Sequence, residues 1–232
     1  MSQSQRSPFV RGFEQLFELT PAELDYLQRL ERAPHHVPAR RMLIEEGRKY
    51  DRALIVQTGW LIEYVLLRDG KRQSLNFRLP GEIVGVDGLA YALPLASFEA
   101  LQCEFPRLAS ALFLMTLREE AILHQWEVRL GRRDAYARVA HLLTELHRRL
   151  LLRGLIDGGA FPFPATQEDI ADCVGLTTPN VNRILQKMRM EGLIQMGERS
   201  LELVDPEGLA KAGGFKPGYL LNWSARLARA RA

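Results

Sequence analysis

The chain is poor in cysteine, with two, Cys103 and Cys173, in 232 residues. Two thiols seventy positions apart exclude a disulfide scaffold, and a four-cysteine zinc or iron–sulfur site would need a second chain to complete it. Both cysteines are expected to be reduced and buried. Long apolar runs are missing too. The longest candidate, Ala109 to Leu117, is interrupted by Ser110 and Thr116 and ends at Arg118-Glu119-Glu120, well short of the roughly 20 residues of a membrane helix. No apolar segment follows Met1–Arg6, so no signal peptide is expected and the expected compartment is the cytoplasm.

What is present is an ordinary globular balance of 47% hydrophobic and 25% charged residues, which argues against disorder. The length allows one large domain or two small ones. The net charge of +3 is unevenly spread: residues 1–130 carry 16 Lys and Arg against 17 Asp and Glu, residues 131–232 carry 15 against 11. The basic C-terminal part points to a polyanion partner, or to no more than a solvated surface.

Residues 13–31 read as helical, with Thr20-Pro21-Ala22-Glu23 as a capping box followed by Leu24, Leu27 and Leu30 at helical spacing. From Pro34 to Phe105 the segments become short and β-rich. Asp69-Gly70 between Leu61–Leu67 and Arg72–Phe77 predicts a hairpin. Many short strands of this kind suggest a sandwich or barrel, with a jelly roll as one solution. Pro106 to about Arg133 reads as one long helix, apolar on more than one face. One face can cover the β domain; the other needs a second copy of the helix or burial within one subunit. Gly131 interrupts the pattern, a new helix runs from about Asp134 to Arg153, and Gly154 to Pro164 reads as a loop.

The most informative segment is Thr166 to Ile194. Thr166 and Asp169 form a cap for a short helix on which Ile170 and Val174 face inward. Ala171 is small enough to let a second helix cross closely. Gly175 sits where a tight turn needs a left-handed backbone. Thr177 caps the next helix, with Pro179 in its first turn and Val181, Ile184 and Leu185 inward. Asn180, Asn182, Arg183, Gln186 and Lys187 are left facing out. Small residue, glycine, then β-branched residue at these spacings is the steric pattern of a helix-turn-helix. Arg pairs bidentately with guanine, Asn with adenine, and Lys neutralises a phosphate. Gly192 to Val204 then predicts a hairpin, a wing. The alternative is a helical packing unit without a nucleic-acid role, which leaves the outward Asn-Val-Asn-Arg unexplained.

These residues, with Leu79-Pro80-Gly81-Glu82-Ile83-Val84-Gly85 in the β region, resemble the Crp/Fnr family of bacterial transcription regulators over nearly the whole chain. The junction Leu130-Gly131-Arg132-Arg133-Asp134-Ala135-Tyr136 and the ending Gly213-Gly214-Phe215-Lys216-Pro217-Gly218-Tyr219-Leu220 resemble a subgroup common in alphaproteobacteria. The resemblance implies an α+β fold. An N-terminal β-roll or jelly-roll effector domain (1–106) would precede a dimerisation helix and hinge (107–133) and a winged helix-turn-helix (134–232). It implies a homodimer docking two helices into successive major grooves of a near-palindromic double-stranded DNA site, and contact with RNA polymerase. By resemblance Arg183 reads guanine, Thr166 touches phosphate and Asn182 stands where some members read bases. Thr178, Asn180 and Lys187 complete the candidate DNA-binding set. Pro179 departs from a base-reading glutamate and Thr178 from an arginine of the cyclic-AMP branch.

The effector pocket departs further. Its candidate residues are Gly81, Glu82, Gly85, Val86 and Ser97. Cyclic-AMP-binding members carry a glutamate where this chain has Val86 and an Arg-Ser pair where it has Ala96-Ser97. A buried phosphate without the arginine would lack its counter-charge, so no tight cyclic-AMP binding is expected and the small-molecule effector is unknown. The iron–sulfur branch needs several N-terminal cysteines, and none precedes Cys103. His35, His36 and His124 are the candidate haem ligands, each also explained as a surface or packing residue; Cys173 beside the turn is a candidate redox group or plain core. No cofactor, metal or membrane partner is expected. The expected function is DNA-binding regulation. The alternative is a ligand sensor whose output is a protein partner. An enzyme is not expected, since no Ser–His–Asp motif, phosphate-cradling glycine loop or metal-ligand spacing is present.

Overall fold

The computed structural model describes residues 6–31, 36–44, 52–84 and 91–220, with the backbone alone for 52, 53 and 91–99. It divides into two compact units. The first takes the described residues up to Gly59 together with Arg78–Leu117; the second takes Trp60–Phe77 and Arg118–Leu221.

In the first unit, α1 (Pro8–Glu14) starts where the Ser7 hydroxyl accepts from the Val10 amide. The helix expected over 13–31 is two: α1 ends at Glu14, and α2 (Pro21–Leu30) begins at the predicted capping box, with Thr20 and Glu23 satisfying each other's backbone N–H. The box wins over continuous periodicity because a Thr-Pro start leaves the preceding residues non-helical. Strands β1 (Arg52–Ile55), β4 (Ile83–Val84) and β5 (Tyr91–Pro94) form an antiparallel sheet in the order β4-β1-β5, and Leu54 pairs with Val84. Then α3 (Leu95–Glu104) occupies a stretch read as β-rich, followed by α4 (Pro106–Arg132). Phe9, Val10, Phe13, Tyr26, Leu27, Leu101, Leu108 and Ala111 make the core. Each fully buried large side chain contributes about 1.5–3 kcal/mol. Arg107 clamps α4 to the α1–α2 connection: it donates to the Glu18 carbonyl at 2.8 Å, pairs with Glu23 and lies over the Phe17 ring.

Two sequence expectations need correction here. Cys103 is exposed, because it lies two residues round α3 from the core-facing Leu101; Cys173 alone is buried. Gly131 does not break α4, which runs to Arg132, since Trp126 and Arg129 are held by packing worth more than the roughly 1 kcal/mol a helical glycine costs.

In the second unit, β2 (Leu61–Leu66) and β3 (Arg72–Arg78) form the predicted hairpin, closed by the Leu67 amide on the Lys71 carbonyl with Gly70 at φ 81°. Asp134 caps α5 (Ala135–Leu152) by accepting from the Ala137 amide. The presumed loop after it contains β6 (Ala160–Pro162). Phe161 is buried there and pairs with Leu201, which makes a third strand where Gly and Pro suggested none. The helices α6 (Gln167–Val174) and α7 (Thr178–Met190) follow, then the wing strands β7 (Ile194–Met196) and β8 (Ser200–Leu203). The sheet order is β6-β8-β7, all antiparallel. α8 (Pro206–Gly213) and a 3-10 turn at Pro217–Tyr219 close the unit.

A polar cluster lies at the heart of this unit. Glu145 on α5 accepts from Trp126 Nε1 at 2.8 Å, Arg129 Nη2 at 2.9 Å and the Tyr219 hydroxyl at 2.7 Å. Glu145 and Arg129 are both fully buried. The Arg129 guanidinium also stacks on Trp126 and donates from Nε to His141 Nδ1. Burial, then the Arg129 and Arg133 charges, push the His141 imidazole down to about 2, so it accepts as a neutral ring.

The ending motif serves this cluster. Gly213 lets α8 meet α5 backbone to backbone: a Cβ there would lie 2.5 Å from the His141 amide nitrogen. Gly214 ends α8 in the left-handed region, and Phe215 and Tyr219 then pack on the His141 ring. Arg133 of the junction motif donates to the Gly213 carbonyl at 3.0 Å. Gly213→Ala is therefore expected to destabilise the chain by about 1–3 kcal/mol or more through backbone displacement. Gly131→Ala, with open space around it and no positive φ, is expected to stabilise by about 0.5–1 kcal/mol. Paired thermal melts check both signs.

Candidate nucleic-acid interface

The surface that carries most of the predicted residues is built by α6 and α7. The predicted capping box at the head of α6 is present: Thr166 accepts from the Asp169 amide while the Asp169 carboxylate takes both the Thr166 amide, at 2.8 Å, and its hydroxyl, at 2.7 Å. Thr166 is thus oriented by its own helix. At the other end Gly175 adopts φ 65°, ψ 41° and donates to the Ala171 carbonyl, which turns the chain in one residue. Ile170, Ala171, Cys173, Val174, Val181, Leu185 and Met188 are buried, and Ile184 is half-buried, so the inward set is as read from the sequence.

Thr177 occupies the N-cap of α7, but its side chain makes no capping bond. A cap accepts from the second or third helical amide, and Pro179 at the second position has none to give. Thr178, Pro179, Arg183, Gln186 and Lys187 are exposed; Asn180 and Asn182 are half-buried rather than fully outward. Each of the two asparagines is engaged within the protein. Asn180 accepts a short bond from Arg183 Nη2, whose Nε also faces the Pro179 carbonyl. Asn182 Nδ2 donates to Gln167 Oε1 at 3.0 Å. Lys187 lies over the Tyr136 ring and 3.7 Å from Glu191, and Tyr136 donates a short bond to that same Glu191. Burial and the Glu191 carboxylate push the Tyr136 hydroxyl well above the usual phenol range, so it stays a donor.

Four residues of this surface escaped the sequence reading: Gln167, Tyr136, Glu191 and Arg72. Arg72, on β3, sits against three carboxylates of α6, with its Nη2 2.9 Å from Asp172 and 3.8–3.9 Å from Asp169 and Glu168. The neighbouring Gln73 donates to the Asp172 carbonyl at 3.0 Å. Desolvation raises the Asp172 carboxyl, with Arg72 acting against it. The acids of α6 are visible in the sequence; a hairpin ninety-odd residues earlier as their counter-charge is not.

The effector-pocket candidates are only partly within the described residues. Gly81 takes φ 85° in a turn whose amide donates to the Val56 carbonyl at 2.7 Å. The buried Glu82 carboxylate accepts from the Leu79 amide at 2.9 Å, so it braces that turn. Ser97 falls in α3. Gly85, Val86 and His35 lie outside the described residues, as does the tail from Asn222 on. His36 and His124 are exposed, and no group of three or more His, Cys, Asp or Glu able to hold a metal occurs among the described residues. Burial pushes the Cys173 thiol far up, which makes it an inert core group.

Two family models match the chain: a Crp-like helix-turn-helix domain over residues 137–212 and a cyclic nucleotide-binding domain over residues 34–120. The nitrogen fixation regulation protein FixK of Bradyrhizobium diazoefficiens is 31% identical over 212 residues, covering 84% of this chain and 88% of FixK. The transcriptional activator protein FnrL of Cereibacter sphaeroides is 30% identical over 190 residues, covering 74% of this chain and 77% of FnrL. The chain belongs to the Crp/Fnr family. Among solved structures, FixK2 from Bradyrhizobium japonicum is similar at a TM-score of 0.61 and 29% identity, over 73% of this chain and 92% of FixK2.

Crp/Fnr proteins are transcription regulators, not enzymes, and the α6–α7 pair with its wing is the DNA-binding domain of this one. The fold is the mixed one expected, an N-terminal cyclic nucleotide-binding-type domain and a C-terminal winged helix-turn-helix. The relatives are in part alphaproteobacterial, as the junction and ending motifs indicated. Within the domain, Thr166→Ala removes the hydroxyl that accepts from the Asp169 amide, keeps the backbone N–H that donates to the Asp169 carboxylate, and is expected to cost about 1 kcal/mol of stability. Chemical denaturation with an unchanged slope and a lower midpoint checks it.

Proposed function

We propose that this Crp/Fnr chain acts in the cytoplasm as a homodimer on a near-palindromic DNA site, with half-sites about 34 Å apart. It activates transcription by touching RNA polymerase, and it does so without cyclic AMP. The observation that carries the reading is the exposed face of α7. Arg183 and Lys187 project there beside half-buried asparagines, on a helix fixed by the Gly175 turn. Thr166 at the head of α6 supplies a phosphate contact and Thr178 and Asn180 flank the bases. α4 supports a dimer: Phe113, Leu123 and Val128 are 63%, 44% and 45% exposed on a helix whose other face is buried. No helix among the described residues is long and apolar enough to cross a membrane.

The functional division we assign is an effector domain over 1–106, a dimerisation helix and hinge over 107–133, and the DNA-binding domain over 134–232. Gly81, Glu82, Gly85, Val86 and Ser97 mark the effector region. Resemblance puts Val86 in place of a ribose-binding glutamate and Ala96 in place of a phosphate-binding arginine, which disfavours cyclic AMP.

Selection from a random duplex library without added ligand is expected to enrich a palindrome with half-sites one turn apart. Arg183→Ala should abolish the enrichment. Affinity should fall about a thousandfold or more between 50 and 200 mM salt if six or more phosphates are contacted. Binding to protein alone, with weak salt dependence, would favour the sensor alternative. Saturating cyclic AMP is expected to leave the melting temperature unchanged, whereas a ligand at a hundred times its Kd would add about 2.7 kcal/mol.

A further inference from the structure

We propose that Gln167 is a specificity-determining positioning residue. It pins the Asn182 carboxamide so that Asn182 reads an adenine next to the guanine taken by Arg183. The inference rests on the reading of α7 as the helix that faces the bases. Gln167 is the first residue of α6 and Asn182 lies in the second turn of α7, so one hydrogen bond of 3.0 Å joins the two helices at the surface between them. Both side chains are half-buried, which limits the rotamers open to each.

The chemistry follows from what the bond uses. Asn182 spends one of its two N–H groups on Gln167 and keeps Oδ1 and the second N–H, with no further side-chain partner among the described residues. An amide oxygen and an amide N–H side by side complement the N6 donor and N7 acceptor of adenine in the major groove. The neighbouring positions offer no competitor. Pro179 has no polar side-chain atom, and no carboxylate stands on the first two turns of α7 to accept from cytosine. Arg183 is oriented in the same manner by Asn180, so the two base readers are set by two separate partners. Without Gln167 the Asn182 amide turns freely and presents its oxygen or its nitrogen to any base edge.

The test is duplex selection followed by competition with the full chain at fixed salt. The wild type is expected to enrich an adenine beside the guanine and to bind duplexes with other bases there about fivefold to a hundredfold more weakly. Gln167→Ala should flatten that one position to within about twofold while keeping the guanine preference, and Asn182→Ala should do the same. Gln167→Glu keeps an acceptor for Asn182 Nδ2. It should retain the adenine preference while binding every sequence less tightly, because it adds a negative charge near the phosphates.

Three results would overturn the proposal. One is that Gln167→Ala leaves the adenine preference intact. A second is that Gln167→Ala weakens all sequences equally with the salt dependence unchanged, which would make Gln167 a neutral phosphate contact. The third is that the wild type enriches a guanine-containing palindrome with no adenine preference beside it. If the wild type enriches nothing at all, the DNA reading fails and this proposal fails with it, whereas the three results above leave the DNA reading standing.

Discussion

A carboxylate with no access to water is the constraint around which the DNA-binding unit is arranged. Glu145 needs a donor for each of its oxygens, and it finds three on two different elements: Trp126 and Arg129 on α4 and Tyr219 in the closing 3-10 turn. Removing one partner of such a pair leaves a buried charge unmatched and costs about 3–5 kcal/mol, a large share of the stability of any domain. Everything near Glu145 adapts to it. His141 is held neutral by its burial first, and then by the Arg129 and Arg133 charges. The Tyr219 hydroxyl is raised by burial and by Glu145 and remains a donor. Gly213 is required because a side chain there would push α8, and Tyr219 behind it, away from α5.

A second set of buried polar contacts ties the β2–β3 hairpin into the same unit. Arg149, one turn beyond Glu145 on α5, donates to Asn76 Oδ1 at 3.2 Å and to the Phe77 carbonyl at 2.8 Å. Arg72 adds the ion pair with Asp172, and Trp60 packs on Phe163. The hairpin lies within the span matched by the cyclic nucleotide-binding family model, yet it packs with the winged helix. Its two ends therefore differ in kind. Arg149 makes buried, charge-assisted bonds that break only at high cost, whereas Arg72 is partly exposed and screened, so its three carboxylates add less than their number suggests.

The helix-turn-helix was legible because its signals are local and steric. Thr166 needs Asp169 three residues on, Gly175 needs only its own backbone, and both are satisfied as written. The hairpin turn at Gly70 and the wing belong to the same class. Less legible were the elements decided by distant partners. Residues 160–162 carry the Gly- and Pro-rich composition of a loop and become a strand because Phe161 is buried opposite Leu201. The break expected at Gly131 is overridden by Trp126 and Arg129. The Glu145 cluster draws on positions 126, 129, 145 and 219, and periodicity would send each of its charged members to solvent. The Gln167–Asn182 pair was hidden for a similar reason, since a polar residue after a cap reads as solvated until the next helix is placed beside it.

The two ends of the cluster set how motion in α4 reaches the helix-turn-helix. From Arg118 on, α4 belongs to the same unit as α5, and Arg129 and Trp126 fix its last turns to Glu145. Sliding α4 past α5 would strand Arg129 and Glu145 in an apolar interior, so the last turns of α4 and α5 move together or not at all. From α5 the connection continues without slack. Arg138 donates to the Arg133 carbonyl at 2.9 Å and to the Val174 carbonyl at 3.2 Å, which joins the interhelix junction to the end of α6. Tyr136 on the first turn of α5 reaches Glu191 at the end of α7. α5, the helix that follows α4, thus grips the end of α6 and the far end of α7, so a twist of α4 is felt by this helix pair as a change of position, with its internal geometry preserved.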